Sequence, residues 1–196
     1  MARTPMDFRI QEESIDVLSE YGQVPIALEV KSRFRVELVD NGLGGIRLVE
    51  KPVDPPYIKN YDHSGGPERW TRRTWDLSRW VVLAAYWEQE RIGGAILALH
   101  GEGLDYCEGR EDLAGLWDIR VRPEYQGRGV GRALFQRAET CAKQRGCTQL
   151  KIETQNINVP ACRFYARMGA KLGHVHLYAY RTEGLDEVQL TWYKDL

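Results

Sequence analysis

Neither acidic nor basic residues are in excess in this sequence, which contains 27 lysines and arginines and 28 aspartates and glutamates. The formal net charge of −1 creates no general attraction for nucleic acid or for an anionic membrane. No apolar run approaches the length of a membrane span, and residues 1–5 lack the apolar core of a signal peptide. We therefore expect no nucleic-acid partner, no membrane association and a cytoplasmic location.

Cysteine pairs with redox or metal-ligand spacing are also absent. The four cysteines form no Cys-x-x-Cys pair (Cys107, Cys141, Cys147 and Cys162). Cys141 lies on the apolar face of a predicted helix, and the sequence places no histidine as the partner of a nucleophilic thiol. We expect buried free thiols, no catalytic cysteine and no metal site.

The composition is typical of a soluble globular protein, with 43% apolar and 28% charged residues. A length of 196 residues suits one domain with a proper core. We find no internal repeat, low-complexity tract or linker. The prediction is a single domain over 1–196, in which the N-terminal part, 1–60, is the least regular.

Strand and helix patterns alternate along the first 112 residues. We predict, in order, a short strand at 8–10, a helix at 12–21, a hairpin of 24–38 and 45–49 around Asn41-Gly42, and an extended proline-rich segment at 51–57. A short helix is predicted at 67–75. Its basic residues and tryptophans could form a nucleic-acid patch, but a solvated amphipathic helix is favoured. A second hairpin, 80–87 with 91–100, leads into an acidic loop at 101–112.

The remainder of the chain contains one crossover. Residues 113–121 form a predicted strand, 129–145 a helix with one apolar stripe, and 149–155 a second strand, an order that places the two strands parallel. A second helix begins after Asn158, which suits an N-cap, and ends at Gly169. Strands at 174–180 and 187–193 close the chain. The predicted class is α+β, with antiparallel strands around one parallel crossover.

A glycine-rich turn lies between the first strand of the crossover and its helix. It has the sequence Gln126-Gly127-Arg128-Gly129-Val130-Gly131-Arg132. Glycine tolerates positive φ and leaves backbone N–H groups accessible, and a helix N-terminus adds unpaired N–H groups and a partial positive charge. These features predict a phosphate site. It is no P-loop, since no Gly-Lys-Ser/Thr follows, and it comes too late in the chain for a dinucleotide-binding fold.

Residues 113–170 resemble the cofactor-binding core of the GCN5-related N-acetyltransferase (GNAT) family. Residues 126–131 match its Q/R-x-x-G-x-G/A signature, and a second motif is matched by Thr154, Asn158, Ala161, Phe164-Tyr165 and Gly169. The resemblance implies a GNAT-like α+β fold, in which a mixed, largely antiparallel sheet is flanked by helices and its central parallel strand pair splays to admit acetyl-CoA. Further segments resemble streptothricin acetyltransferases, among them 52–61, 142–146 and 153–162.

The resemblance also implies a role for each site residue. The pyrophosphate of acetyl-CoA would lie on the backbone amides of the turn (Gln126, Gly127, Arg128, Gly129, Val130, Gly131 and Arg132). The strand Ile119-Arg120-Val121 would hydrogen-bond the pantetheine arm through its backbone, and Asn158 would bond the pantetheine or acetyl region. Tyr165 would be the general acid for the leaving thiolate. The alternative is that Tyr165 packs on the apolar face of its helix.

The general base is left open by the sequence. The glutamate that some family members carry on the strand before the turn falls at Gly115 here. Asp118, Glu153, the acidic loop at 101–112 and water remain candidates. Side-chain alternation puts Asp118 on the strand face opposite Trp117. His174 and His176 could also serve, but exposed strand histidines are favoured.

The acceptor site is equally open. Tyr57, Tyr61, Trp70 and Trp75 could hold a cationic amine through their faces, or could belong to the core or a lid. The acidic loop is either solvated surface or an attractor of a cationic substrate. We expect an N-acetyltransferase acting on the primary amine of a small cationic acceptor, such as a streptothricin-like antibiotic, with resistance by acetylation. The alternatives are a protein or polyamine acceptor and a non-catalytic CoA-sensing module. A homodimer is left open.

Overall fold

A computed structural model describes residues 7–63, 65–103 and 105–196. The strands in this part of the chain are β1 (Arg9–Glu13), β2 (Ala27–Leu38), β3 (Ile46–Asn60), β4 (Val81–Trp87), β5 (Glu90–Ala98), β6 (Leu113–Val121), β7 (Gln149–Gln155), β8 (Lys171–His176) and β9 (Gln189–Asp195). The α-helices are α1 (Leu18–Tyr21), α2 (Val130–Gln144) and α3 (Val159–Arg167). Within the same described ranges, 3-10 turns lie at Ile15–Val17, Val39–Gly42, Pro67–Arg72, Asp105–Cys107, Pro123–Tyr125 and Arg181–Glu183.

The chain divides into two compact units. The first unit comprises the chain up to Ile26, Tyr61–Lys151 and Asp195–Leu196, and the second comprises Ala27–Asn60 and Ile152–Lys194. Strand order in the first unit is β1-β4-β5-β6, followed by the start of β7. In the second unit, the end of β7 is followed by β9 and β8, while β2 and β3 form a separate two-stranded sheet. The predicted class is confirmed, since the main sheet is mixed and contains one parallel pair.

The core of the first unit lies around β4 and β5. Residues 81–85 and 92–98 are buried, so these neighbouring antiparallel strands are covered on both faces. Six buried residues of α2 complete this core, in agreement with the apolar stripe predicted for this helix (Val130, Leu134, Phe135, Ala138, Cys141 and Ala142). The predicted bounds of the β6–α2–β7 crossover are confirmed to within a residue. No helix in the described ranges is long and apolar enough to cross a membrane.

The helix predicted at 12–21 is wrong over its first half. Glu12 and Glu13 belong to β1, where they pair with Leu83 and Val82 of β4. The side chain of Ser14 then accepts a hydrogen bond from the Asp16 N–H and opens a 3-10 turn, and α1 begins only at Leu18. Pairing with a buried strand outweighs the weak helical preference of this segment.

The second unit contains the predicted hairpin, but its second strand continues past the predicted 45–49 to Asn60. Strands β2 and β3 pair from Ala27 with Asn60 to Leu38 with Ile46, so the proline-rich segment is extended, as expected. The strand predicted at 174–180 is too long, because β8 ends at His176 and the chain then turns. The turn brings Tyr180 back to a hydrogen bond with Glu153 of β7, an interaction that strand periodicity does not encode.

Candidate active site

The glycine turn is an exposed loop that ends at the N-terminus of α2. Residues 126–129 are all exposed, and Gly127 and Gly129 have φ angles of +71° and +91°. Gly129 is the N-cap of α2, so no side chain caps the helix, and its first turn contains no acidic residue. The first N–H groups of α2 therefore lack a capping acceptor, and the positive end of the helix dipole faces outward. This geometry suits an anion.

The end of β6 is fastened to this turn by a side chain. The amide Nε2 of Gln126 donates to the carbonyl oxygen of Val121 at 3.0 Å. The guanidinium of Arg128 lies over the ring of Tyr125, with 5.7 Å from Cζ to the ring centroid. Gln126 therefore holds the turn against the strand, while Arg128 stays exposed at its rim.

Arg120 projects its side chain into the first unit, where it joins two carboxylates. Its Nε and Nη2 donate to Asp118 at 2.8 and 2.7 Å, and its Nη1 donates to Asp62 at 2.8 Å and to the carbonyl of Val24 at 3.0 Å. Only 1% of the Arg120 side chain is exposed, against 9% for Asp118 and 23% for Asp62. Burial alone would lower the pKa of Arg120, but the hydrogen bonds and charge of Asp118 raise it. Only its backbone is left for a cofactor.

Tyr21 of α1 also belongs to this hydrogen-bonded network. Its hydroxyl donates to Asp118 at 2.5 Å, and its ring lies 5.0 Å from the Arg120 guanidinium. The ring reaches this place because β5 carries glycine at position 94, where an added Cβ would lie 2.5 Å from the Tyr21 ring. Burial and the charge of Asp118 raise the pKa of Tyr21 well above its usual value.

The prediction that Asp118 lies opposite Trp117 is wrong. Ile96 of β5 pairs with Asp118 and Leu97 pairs with Leu116, so Trp117 is the extra residue of a β-bulge. A bulge places two residues against one partner and redirects a side chain. Trp117 therefore packs on Trp80 at 5.2 Å between ring centroids, in the same hydrophobic cluster that contains Tyr21.

Trp117 is the centre of an aromatic cluster in the first unit. Its ring contacts four others at centroid distances of 5.0 to 6.1 Å (Trp70, Trp75, Trp80 and Tyr106). Trp80 is buried at 6% exposure, whereas the other four rings are half-buried. Trp70 and Trp75 therefore pack on the core and are also partly exposed, and an acceptor-binding role for them stays a prediction. Tyr57 belongs to the second unit, on β3, and is 43% exposed.

The carboxylates of the acidic loop mostly have cationic neighbours. Glu108 pairs with Lys151 at 2.8 Å, and Glu111 pairs with Arg79 at 3.2 Å. Hydrogen bonds from Arg110 lower the pKa of Asp112 to about 2. These contacts favour the solvated-surface interpretation for the C-terminal half of the loop, while Leu104 lies outside the described residues.

The second unit carries the two candidate residues of the second motif. Asn158 is the N-cap of α3, as predicted, and its Oδ1 accepts from the Ala161 N–H at 3.1 Å. Tyr165 lies on α3 with 6% exposure, and its ring is 5.5 Å from that of Phe164. Whether Asn158 and Tyr165 also contact a cofactor stays a prediction.

Glu153 lies in a small hydrogen-bonded group of the second unit. The Tyr180 hydroxyl donates to Glu153 at 3.0 Å and accepts from the Gln155 side chain at 3.0 Å. Burial and the Glu153 carboxylate raise the pKa of Tyr180. His174 and His176 are exposed on β8, as the favoured interpretation expected.

The four thiols are buried. All four cysteines are free and buried, as expected, and burial raises the pKa of Cys162 to about 12. Within 7–63, 65–103 and 105–196, no group of three or more histidine, cysteine, aspartate or glutamate side chains could hold a metal ion.

Sequence reasoning missed Tyr21, Asp62 and the position of Trp117. The paired glycines Gly93-Gly94 were a usable sign, because glycine inside a strand often marks a close approach of another group. Nothing in the sequence marked Asp62, which reaches Arg120 across 58 residues of chain.

Comparison with known proteins identifies relatives of this chain. The acetyltransferase (GNAT) family profile matches residues 48–170. A streptothricin acetyltransferase of Escherichia coli is 37% identical over 184 residues, which cover 91% of this chain and 94% of that protein. A streptothricin acetyltransferase of Streptomyces lavendulae is 30% identical over 69% of this chain and 67% of its own length.

Solved structures share the fold. The crystal structure of nourseothricin acetyltransferase superposes with a TM-score of 0.74 at 26% identity, covering 96% of this chain and 98% of the other. A Bacillus anthracis protein solved in complex with acetyl coenzyme A gives a TM-score of 0.76 at 24% identity, covering 97% and 100%. From the family profile and the full-length relatives together, this chain belongs to the acetyltransferase (GNAT) family.

Proposed function

We propose that this protein uses acetyl-CoA to acetylate a primary amine of a small cationic acceptor, and that a streptothricin-like antibiotic is the first acceptor to test. The acetyl donor supplies an activated thioester. The Escherichia coli relative is named a streptothricin acetyltransferase. It supports this acceptor because the similarity covers 91% of this chain and 94% of that protein. The role would then be resistance by acetylation.

The observation that carries the proposal is the uncapped N-terminus of α2 at an exposed, glycine-rich turn. Unpaired N–H groups and the helix dipole bind a diphosphate without any loss of existing hydrogen bonds. Arg128 and Arg132 are exposed on either side of Gly129 and add positive charge. Gln126 keeps the turn fixed to the end of β6, which supports the backbone of 119–121 as the track of the pantetheine arm.

The transfer forms a carbon–nitrogen bond and breaks the carbon–sulfur bond of the thioester. The acceptor nitrogen must lose a proton, and the leaving thiolate must gain one. The Tyr165 hydroxyl would donate the proton that the leaving thiolate gains. A backbone N–H of 119–121 would polarise the thioester carbonyl.

Thiol release tests the proposal directly. The protein is mixed with acetyl-CoA and with streptothricin, 1,6-diaminohexane or a short lysine peptide, and free thiol is followed with time. Release with streptothricin is the expected result. Release with the diamine or peptide alone would replace the acceptor by a polyamine or protein amine. Tight CoA binding without release for any amine would contradict enzymatic function and favour a CoA-sensing module.

A further inference from the structure

We propose that Tyr21 and Arg120 are positioning residues for acetyl-CoA, because their hydrogen bonds to Asp118 hold the end of β6 in the orientation that binds the pantetheine arm. This inference rests on the proposed binding of that arm along the backbone of 119–121, and it adds the side chains that keep this stretch in place. All of these residues belong to the first unit.

The backbone of β6 directs alternate residues to opposite edges of the strand. The N–H of Arg122 donates to a carbonyl oxygen of β5 at 2.9 Å. In an antiparallel pair, every second residue directs its N–H and C=O toward the partner strand, so Arg120 also faces β5. The backbone groups of Ile119 and Val121 therefore point to the opposite edge, and the Val121 carbonyl indeed accepts there from the side chain of Gln126. This edge offers hydrogen bonds to the amides of a pantetheine arm.

The side chain of Arg120 determines how this end of the strand is rotated. In a strand, the side chain stands perpendicular to the sheet and the hydrogen-bonding groups lie in its plane, so fixing the first orients the second. The Arg120 guanidinium contacts both oxygens of Asp118, at 2.8 and 2.7 Å, and donates to the Val24 carbonyl at 3.0 Å. Only 1% of this side chain is exposed. A buried bidentate contact of this kind has one geometry, and it holds β6 in one rotation.

Tyr21 holds the same carboxylate from α1. Its hydroxyl donates to Asp118 at 2.5 Å, and its ring lies 5.0 Å from the Arg120 guanidinium. Two glycines of β5 make room for this arrangement. An added Cβ at Gly94 would lie 2.5 Å from the Tyr21 ring, and one at Gly93 would lie 2.8 Å from the Arg120 carbonyl oxygen. The missing side chains thus let both α1 and β5 approach the end of β6 closely.

The first unit contains a second group of the same chemistry, which serves as an internal control. The Tyr86 hydroxyl donates to Glu13 at 2.9 Å, and Arg91 donates to the same carboxylate at 2.7 Å. These three residues belong to β4, β1 and β5, respectively. The two groups are therefore alike in composition, but only the group of Tyr21, Asp118 and Arg120 includes side chains of β6.

The contribution of the pantetheine arm can be measured by calorimetric titration with two ligands. CoA and 3′-phospho-ADP share the nucleotide and the diphosphate, and 3′-phospho-ADP lacks only the arm. We expect the wild-type protein to bind CoA more tightly. Tyr21→Phe should raise the dissociation constant of CoA about ten-fold, because a hydrogen bond to a charged group is lost, and should leave that of 3′-phospho-ADP unchanged. Tyr86→Phe should change neither constant.

Arg120→Lys provides a second variant, because lysine keeps the charge but lacks the fork that contacts both oxygens of Asp118. It should lower CoA affinity and kcat/KM for acetyl-CoA about ten-fold or more, since a small misplacement of a bound substrate has effects of this size. Its affinity for 3′-phospho-ADP should match wild type, and Arg91→Lys should keep both affinities. A folded Tyr21→Phe protein with wild-type CoA affinity would overturn the proposal. Equal loss of affinity for both ligands, an equal effect of Tyr86→Phe, or equal affinity of the wild-type protein for both ligands would do the same.

The outcome separates the two claims. If CoA affinity responds as described but no amine is acetylated, the positioning role stands and the proposed enzymatic function fails. If streptothricin is acetylated and Tyr21→Phe keeps the wild-type kcat and CoA affinity, the enzyme stands and the positioning role is wrong.

Discussion

Gly129 offers a direct test of the phosphate turn through the substitution Gly129→Val. Its φ of +91° lies in the left-handed region, and no atom lies within 4 Å of an added Cβ. The Cβ that the substitution adds therefore meets no other atom, and the cost that we expect is backbone strain. That strain is at least about 1–2 kcal/mol for a residue with a side chain.

The protein can relieve this strain only by turning position 129 out of the left-handed region. Since Gly129 is the N-cap of α2, that rotation would redirect the first N–H groups of the helix. A hydrogen bond to a charged group contributes about 1.5–3 kcal/mol, so the loss of one raises the dissociation constant of CoA about ten- to hundred-fold.

Calorimetric titration with CoA measures this effect, and Gly146→Val is the matched control. Gly146 follows the other end of α2, has a φ of +82° and has equally open space around an added Cβ. Both variants should lose similar stability in urea, but only Gly129→Val should bind CoA weakly. Equal CoA affinity in the two variants would refute the assignment of the turn to phosphate.

Three further outcomes follow from the side chains. Tyr165→Phe should lower kcat with little change in CoA affinity, and a wild-type kcat would contradict its role as acid. Arg120→Met should cost about 3–5 kcal/mol in urea unfolding because Asp118 is left buried without its cation, whereas Arg163→Met, at an exposed pair, should cost less than about 1 kcal/mol. The pKa of Asp112, lowered from 3.8 to about 2, adds stability that is present above about pH 4 and lost as pH falls toward 2; Asp112→Asn should flatten urea stability over that window, and an unchanged slope would contradict it.

The crossover could be predicted from sequence because its information is local. The apolar stripe of α2, the glycines that precede it and the alternation in β7 each lie within one element. Asn158 likewise caps a helix only three residues away. Such short-range patterns determine where elements begin and end, and their bounds were confirmed.

The network around Arg120 could not be predicted because it depends on distant partners. The bulge at Trp117 arises from the register between β5 and β6, which strict alternation does not reveal. The Asp62–Arg120 contact spans 58 residues, and the Tyr21–Asp118 contact spans 97. Glu12 and Glu13 became strand through pairing with β4 rather than through their own preference. In each case a tertiary contact, absent from any local window, decided the outcome.

The absence of a side chain at Gly94 governs this whole arrangement. An added Cβ would lie 2.5 Å from the Tyr21 ring and 2.6 Å from the Leu83 carbonyl oxygen, so even alanine would displace α1 from the sheet. In a saturation-mutagenesis library selected for turnover, position 94 should accept glycine alone, although glycine has no functional group to offer. Such a library would thus report an essential residue that touches no reactant. Gly94 is essential because only a residue without a side chain leaves room for the Tyr21 ring, whose hydroxyl donates to Asp118.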